Sequence, residues 1–224
     1  MARKSAVKKT PAIKRKPVTS RKKQTSTSNF WMSVLKKTVV SFLVLLLLGF
    51  GGWKVWNSDA VQMRYVYMWE YQQDIITYSK KNNVDPFLVA AIIKNESRYD
   101  HKAKSPVGAI GLMQIMPETG QWIANQMDLK DYKTEDLFTS RTNIRMGCWY
   151  VGELYHEFQG NMALVMMAYN AGRGQTAAWM EQHNWDYNFN QPEKIPYPET
   201  REYVQRVLND RDRYYLLYKD KVKK

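Results

Sequence analysis

The first 54 of the 224 residues contain no Asp and no Glu. They do contain 13 Lys and Arg, from Arg3 and Lys4 through Lys36, Lys37 and Lys54. Removing those 13 from the 34 basic residues of the chain leaves 21 to face 21 acidic residues over positions 55–224. The net charge of +13 therefore belongs wholly to the N-terminal segment. A pI near 9.6 would point to nucleic acid if the basic excess were spread over a folded surface. With a neutral remainder, no nucleic-acid partner is expected. Cysteine is almost absent too. A single Cys148 excludes an internal disulfide and a cysteine zinc cluster. It lies in an apolar helical pattern, which predicts a small buried core residue. The three histidines, His101, His156 and His183, are scattered without HExxH spacing, and there is no GxSxG elbow, P-loop or Rossmann glycine pattern. No metal and no cofactor is implied. Internal repeats are lacking and strand-like alternation is scarce.

One long apolar run is present. Thr38 to Trp53 is nearly continuous, 16 residues that span about 24 Å as a helix against a hydrocarbon core of about 30 Å. The flanks lengthen it: Lys36, Lys37 and Lys54 can snorkel, and Trp31, Trp53 and Trp56 suit the two interfaces. The expectation is an uncleaved single-pass anchor over 38–56, with residues 1–37 a basic disordered cytoplasmic tail and residues 57–224 facing outward. The tail is polar, and its charge suits anionic lipid. A cleaved signal peptide is the competing reading, because Ser58-Asp59-Ala60 fits a small-x-small site. That site lies far beyond the apolar run, and the basic region before the run is too long.

The remainder reads as mainly α. Val61, Tyr65, Met68, Tyr71, Ile75 and Tyr78 recur at helical spacing until Asn82-Asn83. Asp85-Pro86 predicts a helix start, with Asp85 as N-cap and Pro86 at the first helical position. Phe87 to Ile93 is apolar on every side, which predicts a central helix that runs straight into Lys94-Asn95-Glu96-Ser97. Residues 98–116, with Pro106, Gly108 and Gly111, predict a compact loop. Pro117 opens a third helix. Asn143 is expected to cap a fourth, carrying Ile144, Cys148, Val151, Tyr155 and Phe158. A second all-apolar helix, Met162 to Ala168, ends in Tyr169-Asn170-Ala171-Gly172, with Gly172 as its stop. A short helix around 176–181, a proline-rich loop and a final helix from about 199 to 215 complete the chain. Such a domain of about 160 residues is large enough for one core.

Two core helices thus end in polar clusters, Asn95-Glu96-Ser97 and Tyr169-Asn170. Crossed or parallel packing would bring both clusters to one cleft. Glu96 then has two reasons for a raised pKa: desolvation by apolar neighbours such as Ile92, Ile93 and Met113, and the negative end of its own helix. A carboxyl kept protonated near neutral pH is what a general acid needs. The plainer alternative is an exposed glutamate paired with Arg98 or Lys94.

Four blocks carry a resemblance. Glu96-Ser97, then the stretch 105–117 (SPVGAIGLMQIMP), then Ala168-Tyr169-Asn170-Ala171-Gly172, then 195–200 (IPYPET) with Tyr203-Val204, closely resemble the lytic transglycosylases with an SLT-type, lysozyme-like domain. All four stand in the family's order, over about residues 70–215. The resemblance implies a goose-lysozyme-like helical fold, peptidoglycan glycan strands as partner, and the β-1,4 bond between N-acetylmuramic acid and N-acetylglucosamine as target. By position, Glu96 matches the family's catalytic acid. Ser105, Gln114, Met116, Tyr169 and Glu199 match residues lining its glycan groove, and Asn170 and Tyr197 lie in matching motifs.

Each match has a structural alternative. Ser105 and Gln114 suit acetamido and hydroxyl groups or loop stabilisation. One of Met113 and Met116 is expected in the core. Tyr169 packs or hydrogen-bonds near Glu96. Glu199, after Pro198 in a first helical turn, suits the helix dipole equally well. Trp122, Trp149, Trp179 and Trp185 either stack on sugar or pack in the core. Most glycosidases use two carboxylates. No clear second one is present, and Asp100 is unmarked apart from its nearness in sequence. One carboxyl suffices if the muramic acid C6 hydroxyl attacks C1 and closes a 1,6-anhydro ring. The rivals are a hydrolytic muramidase on the same fold and a non-catalytic wall-binding module.

Overall fold

The computed structural model describes residues 26–222, and side chains from residue 29. Most of the expected basic tail lies outside those residues. The chain divides into two units, residues 1–55 and 56–224.

The described residues of the first unit form one helix, α1 (Ser26–Trp56). It starts well before the expected boundary at residue 38, because no proline or glycine interrupts 26–48. Its apolar stretch, Asn29–Trp56, is 28 residues, about 42 Å of helix, and is long and apolar enough to cross a membrane. Its large side chains from Val39 on, Phe42 and Leu43 through Leu48 among them, are exposed. So contiguous an apolar surface is foreign to a water-facing helix.

The second unit is helical, and among its described residues only isolated β-bridges, Lys104 with Ile110 and Ile110 with Ile115, interrupt the pattern. Its elements are α2 (Asp59–Tyr65), α3 (Gln72–Lys81), α4 (Pro86–Glu96), α5 (Pro117–Gln126), α6 (Ser140–Glu157), α7 (Met162–Ala171), α8 (Arg173–His183) and α9 (Pro198–Val222). Short 3-10 turns stand at Thr134–Phe138 and Pro192–Lys194. The helical spacing over 60–80 is therefore split in two. Tertiary contacts override it: the α9 tyrosines Tyr218 and Tyr214 donate to the carbonyls of Tyr67 (2.8 Å) and Met68 (2.9 Å). Trp69 meanwhile packs among Phe87, Tyr214 and Tyr218.

Helix α4 starts as its sequence dictates. The Asp85 carboxylate accepts from the Phe87 amide at 2.9 Å, with Pro86 in the first turn. Phe87 to Ile93 are all buried. It and α7, whose Asn161 side chain accepts from Ala163 and Leu164, both pack on α9. Gly172 ends α7 at φ 92° and opens α8 directly. Helix α9 outruns the expected end near 215, since Tyr214 and Tyr218 continue its buried stripe. Cys148 is fully buried in α6, and burial pushes its thiol up to about 12.

The expected cap at Asn143 is corrected by the structure. Helix α6 begins at Ser140, and Asn143 is a fully buried residue of its first turn. Its amide points into the 97–116 loop instead. Asn143 donates to the carbonyls of Ile110 and Leu137, each at 2.9 Å, and accepts from the Met113 amide at 2.8 Å. Gly111, at φ 77°, lies so close that a Cβ would sit 2.3 Å from the Leu137 carbonyl oxygen and 2.4 Å from the Asn143 amide nitrogen. Asn143→Ala is expected to leave the Met113 amide and the Leu137 carbonyl unpaired, while the Ile110 carbonyl keeps the Ile115 amide at 3.0 Å, and to cost about 3 kcal/mol, or about 10 °C in Tm, by thermal unfolding.

Candidate active site

Glu96 is the last residue of α4 and is half-buried. The chain leaves the helix through two successive left-handed residues, Arg98 (φ 53°) and Tyr99 (φ 68°). Non-glycine residues resist that conformation at about 1 kcal/mol or more each, so something must hold them. The buried Tyr99 supplies it: its hydroxyl donates to the Ala90 carbonyl at 3.2 Å and lies 3.2 Å from the Tyr214 hydroxyl. Ser97 staples the helix end to the glycine loop, donating to the Leu112 carbonyl at 2.9 Å. From α9, Asp210 accepts from Lys94 (2.7 Å) and Asn95 (2.8 Å). Lys94 is thereby committed to Asp210, not to Glu96.

Met113 forms the other side. Its amide is held by Asn143, and its fully buried side chain lies against Gly147, where an added Cβ would meet the sulfur at 2.2 Å. Its carbonyl accepts from the Tyr169 hydroxyl at 2.6 Å. Tyr169 is thus anchored to the loop. Glu96 takes its hydrogen bond from Tyr203 of α9, whose hydroxyl donates to Oε1 at 2.6 Å. Burial pushes the Glu96 carboxyl up to about 7, against the downward pull of that hydrogen bond. The Tyr203 hydroxyl rises well above its ordinary value, by burial first and by the nearby Glu96 charge second, and Tyr169 rises for the same two reasons.

The remaining residues singled out from sequence divide into groups. Gln114, Met116, Tyr169 and Asn170 line one cavity of ≈300 Å³. Asn170, Tyr197 and Glu199 line a neighbouring one of ≈240 Å³, together with Trp179. A third, of ≈360 Å³, shares Thr119 and Tyr150 with the first and adds Glu118, Trp122 and Arg173. Ser105 and Glu96 line none of the three. The Ser105 hydroxyl accepts from the Ala109 amide at 2.9 Å, the loop-stabilising alternative. Gln114 at φ 45° donates to the Gly111 carbonyl at 2.9 Å, so its amide nitrogen also serves the loop. Glu199 is exposed in the first turn of α9. Of the tryptophans, Trp122 and Trp179 reach cavities. Trp149 packs on Trp122, and Trp185 packs between His183 and Phe189.

Tyr203 has no assigned role from sequence, although its Tyr-Val pair belongs to the fourth matching block. Tyr150, which lines two cavities and packs on Tyr169 and Trp122, is a residue that sequence reasoning missed.

Comparison with known proteins places these features. The transglycosylase SLT domain family matches residues 73–191, more than half of the chain, and the chain belongs to that family. It is 36% identical over 138 residues to a soluble lytic murein transglycosylase of Salmonella typhimurium, covering 60% of this chain and 21% of the relative. It is 29% identical over 135 residues to a membrane-bound lytic murein transglycosylase E of Buchnera aphidicola, covering 54% of this chain and 63% of the relative. Among solved structures, the 70 kDa soluble lytic transglycosylase of Escherichia coli superposes with a TM-score of 0.64 at 30% identity, over 73% of this chain and 26% of that one. The same enzyme in complex with bulgecin A superposes at 0.63. The chain thus spans about a fifth of the first relative's length. The fold is a mainly α, lysozyme-like domain of the SLT type.

The raised pKa makes a stability prediction. A carboxyl with an ordinary value of 4.5 that titrates near 7 when folded favours the fold fully below about 4.5, and that favour is lost as pH rises through about 7. Glu96→Gln keeps an acceptor for Tyr203 but cannot ionise. By chemical denaturation it is expected to match the parent near pH 4 and to exceed it at pH 8 by about 2 kcal/mol, allowing for partial contact with water.

Proposed function

We propose that this chain is a membrane-anchored lytic transglycosylase that cuts the MurNAc-β-1,4-GlcNAc bond of peptidoglycan with Glu96 as its acid and then its base. The observation that carries this reading is the Glu96 carboxyl. It is held half-buried at a helix end, titrates near 7, and is hydrogen-bonded by Tyr203 beside the cavities lined by Gln114, Met116, Tyr169 and Asn170. Those residues match the family's groove motifs.

In the mechanism, the protonated Glu96 gives its hydrogen to the glycosidic oxygen as the bond to muramic acid C1 breaks. The N-acetylglucosamine departs as an alcohol. Glu96, now a carboxylate, takes the proton from the muramic acid C6 hydroxyl. The freed O6 electron pair attacks C1 and closes the 1,6-anhydro ring. Glu96 returns to its acid form, and no water is consumed. Tyr203 stabilises the carboxylate between the two steps, since its hydrogen bond favours the charged form. Desolvation keeps the acid form populated near neutrality. Stacking on Trp122, Tyr150 and Trp179 suits the apolar faces of sugar rings.

The membrane part of the reading is supported by α1 and by the relative named as membrane-bound. The basic excess before the apolar run favours a cytoplasmic N-terminus, with the second unit on the outer side.

Mass spectrometry of digested wall tests the chemistry directly. Products one water lighter than reducing ends are expected, and reducing ends instead would establish a hydrolase. Glu96→Gln is expected to lose cleavage by a factor of about 10³ or more while still binding wall. Retained lysis by that variant refutes the assignment. The kcat/KM of the parent should fall about tenfold per pH unit above 7, the alkaline limb set by a single ionisation of the acid. Tyr203→Phe removes the hydrogen bond that lowers the Glu96 pKa, so that limb should move to higher pH even as kcat falls.

A further inference from the structure

Helix α9 grips α4 through two neighbouring residues. Arg211 pairs with Asp85, the N-cap of α4, and Asp210 pairs with the last turn of the same helix. One oxygen of Asp210, Oδ2, accepts from both Lys94 (2.7 Å) and Asn95 (2.8 Å), the two residues that precede Glu96. The Asn95 amide also donates to the Ala91 carbonyl at 2.9 Å, so its orientation is fixed from both helices. Asp210 itself is buried and lines none of the groove cavities.

A sheltered ion pair of this kind adds little net stability, because taking both charges out of water offsets their attraction. What it supplies is position. Tyr203 and Asp210 stand two helical turns apart on α9, about 10 Å, and so share one face. The bond from Tyr203 to Glu96 is 2.6 Å long, and such a bond weakens steeply as its length or angle departs from ideal. Helix α9 carries its donor and α4 its acceptor. The clasp at Asp210 therefore indexes one against the other.

The charges nearby make position and charge separable. Around Asp210 stand Lys94 from α4, Tyr67 from the segment before α3, and Tyr214 from α9 itself, with Arg213 acting on the same Tyr67. Around Glu96 stand Tyr203 from α9 and Tyr169 from α7, with Arg206 acting on Tyr203. Burial raises the Glu96 carboxyl and the Tyr203 hydrogen bond lowers it. Losing a nearby negative charge would lower the Glu96 value, whereas losing the Tyr203 bond would raise it. The two roles open to Asp210 thus differ in sign.

We propose that Asp210 is a positioning residue for the cleavage, which holds the end of α4 against α9 so that the Tyr203 hydroxyl meets the Glu96 carboxyl. The inference rests on the reading of Glu96 as acid and then base, and it adds a residue that acts through Tyr203 without touching the glycan.

The full chain in detergent tests it by two measurements. The first needs no substrate. Stability by chemical denaturation is compared with that of the matching Glu96→Gln protein, and the difference levels off at the pH where folded Glu96 has ionised. That pH is expected to lie near 7 in the parent and about one pH unit higher in Asp210→Ala. Asp210→Asn, which keeps one acceptor oxygen, should fall between them. In the Tyr203→Phe background Asp210→Ala should move it no further. The second measurement is cleavage of wall: in Asp210→Ala the alkaline limb of kcat/KM should move up with the levelling pH, and kcat should fall about tenfold with KM within about twofold of the parent. Should Asp210→Ala fail to fold, Asn95→Ala releases one of the two bonds from the other helix and carries the same prediction at smaller size. A levelling pH that falls or stays in place, an equal move with Tyr203 absent, or a rise in KM at unchanged kcat each overturns the proposal. Wall left uncut by the parent sinks the reading of Glu96 as acid and base, whereas the levelling pH decides by itself whether Asp210 governs the Tyr203 bond.

Discussion

The carboxamide of Asn143 holds the loop that faces Glu96, and three backbone groups from three places in the chain converge on it. A buried amide so fully used is worth more than its separate bonds, because without it the Met113 amide and the Leu137 carbonyl would be stranded away from water. With that amide in place, Gly111 can approach, Met113 can settle on Gly147, and the Met113 carbonyl can receive Tyr169. Ser97 then joins the same loop to the end of α4. The shelter of Glu96 is therefore built by backbone hydrogen bonding, not by a wall of apolar side chains alone.

Helix α9 supplies the opposing constraint. One face of it carries Tyr203, Arg206, Asp210, Tyr214 and Tyr218 at intervals of three or four residues. Tyr203 addresses the Glu96 carboxyl, Asp210 fixes the last turn of α4, and the two further tyrosines hold the segment between α2 and α3. A rotation of this helix by one residue would disturb all of these contacts together. Its chemistry and its packing are consequently inseparable, and Pro198 with the irregular run before it sets where the helix starts.

Much of this was legible in the sequence where the signal is local. Asp85-Pro86 announces α4, the apolar run after it announces burial, and Gly172 announces the end of α7. Placing Glu96 at the end of a core helix needed nothing more. Asn143 was misread because a cap and a buried bridging amide look alike in sequence; only the distant Gly111 and Leu137 tell them apart. The Tyr203–Glu96 bond joins positions 107 apart, and no periodicity reports such a pairing. Ser105 shows the opposite limit. Its motif fits a groove residue, yet its hydroxyl is turned to the Ala109 amide. Length also misled: α1 extends beyond its apolar stretch because helix propensity continues through the polar flank.

Cys148 lies fully inside α6, with Ser79 as its neighbour at 3.8 Å and its thiol pushed up to about 12. A sulfur so placed is almost never a thiolate at neutral pH, and reagents that seek thiolates pass it by. The folded molecule is thus chemically silent toward maleimides without any substitution. A fluorophore or spin probe attached through one cysteine added to the surface would report from that position alone.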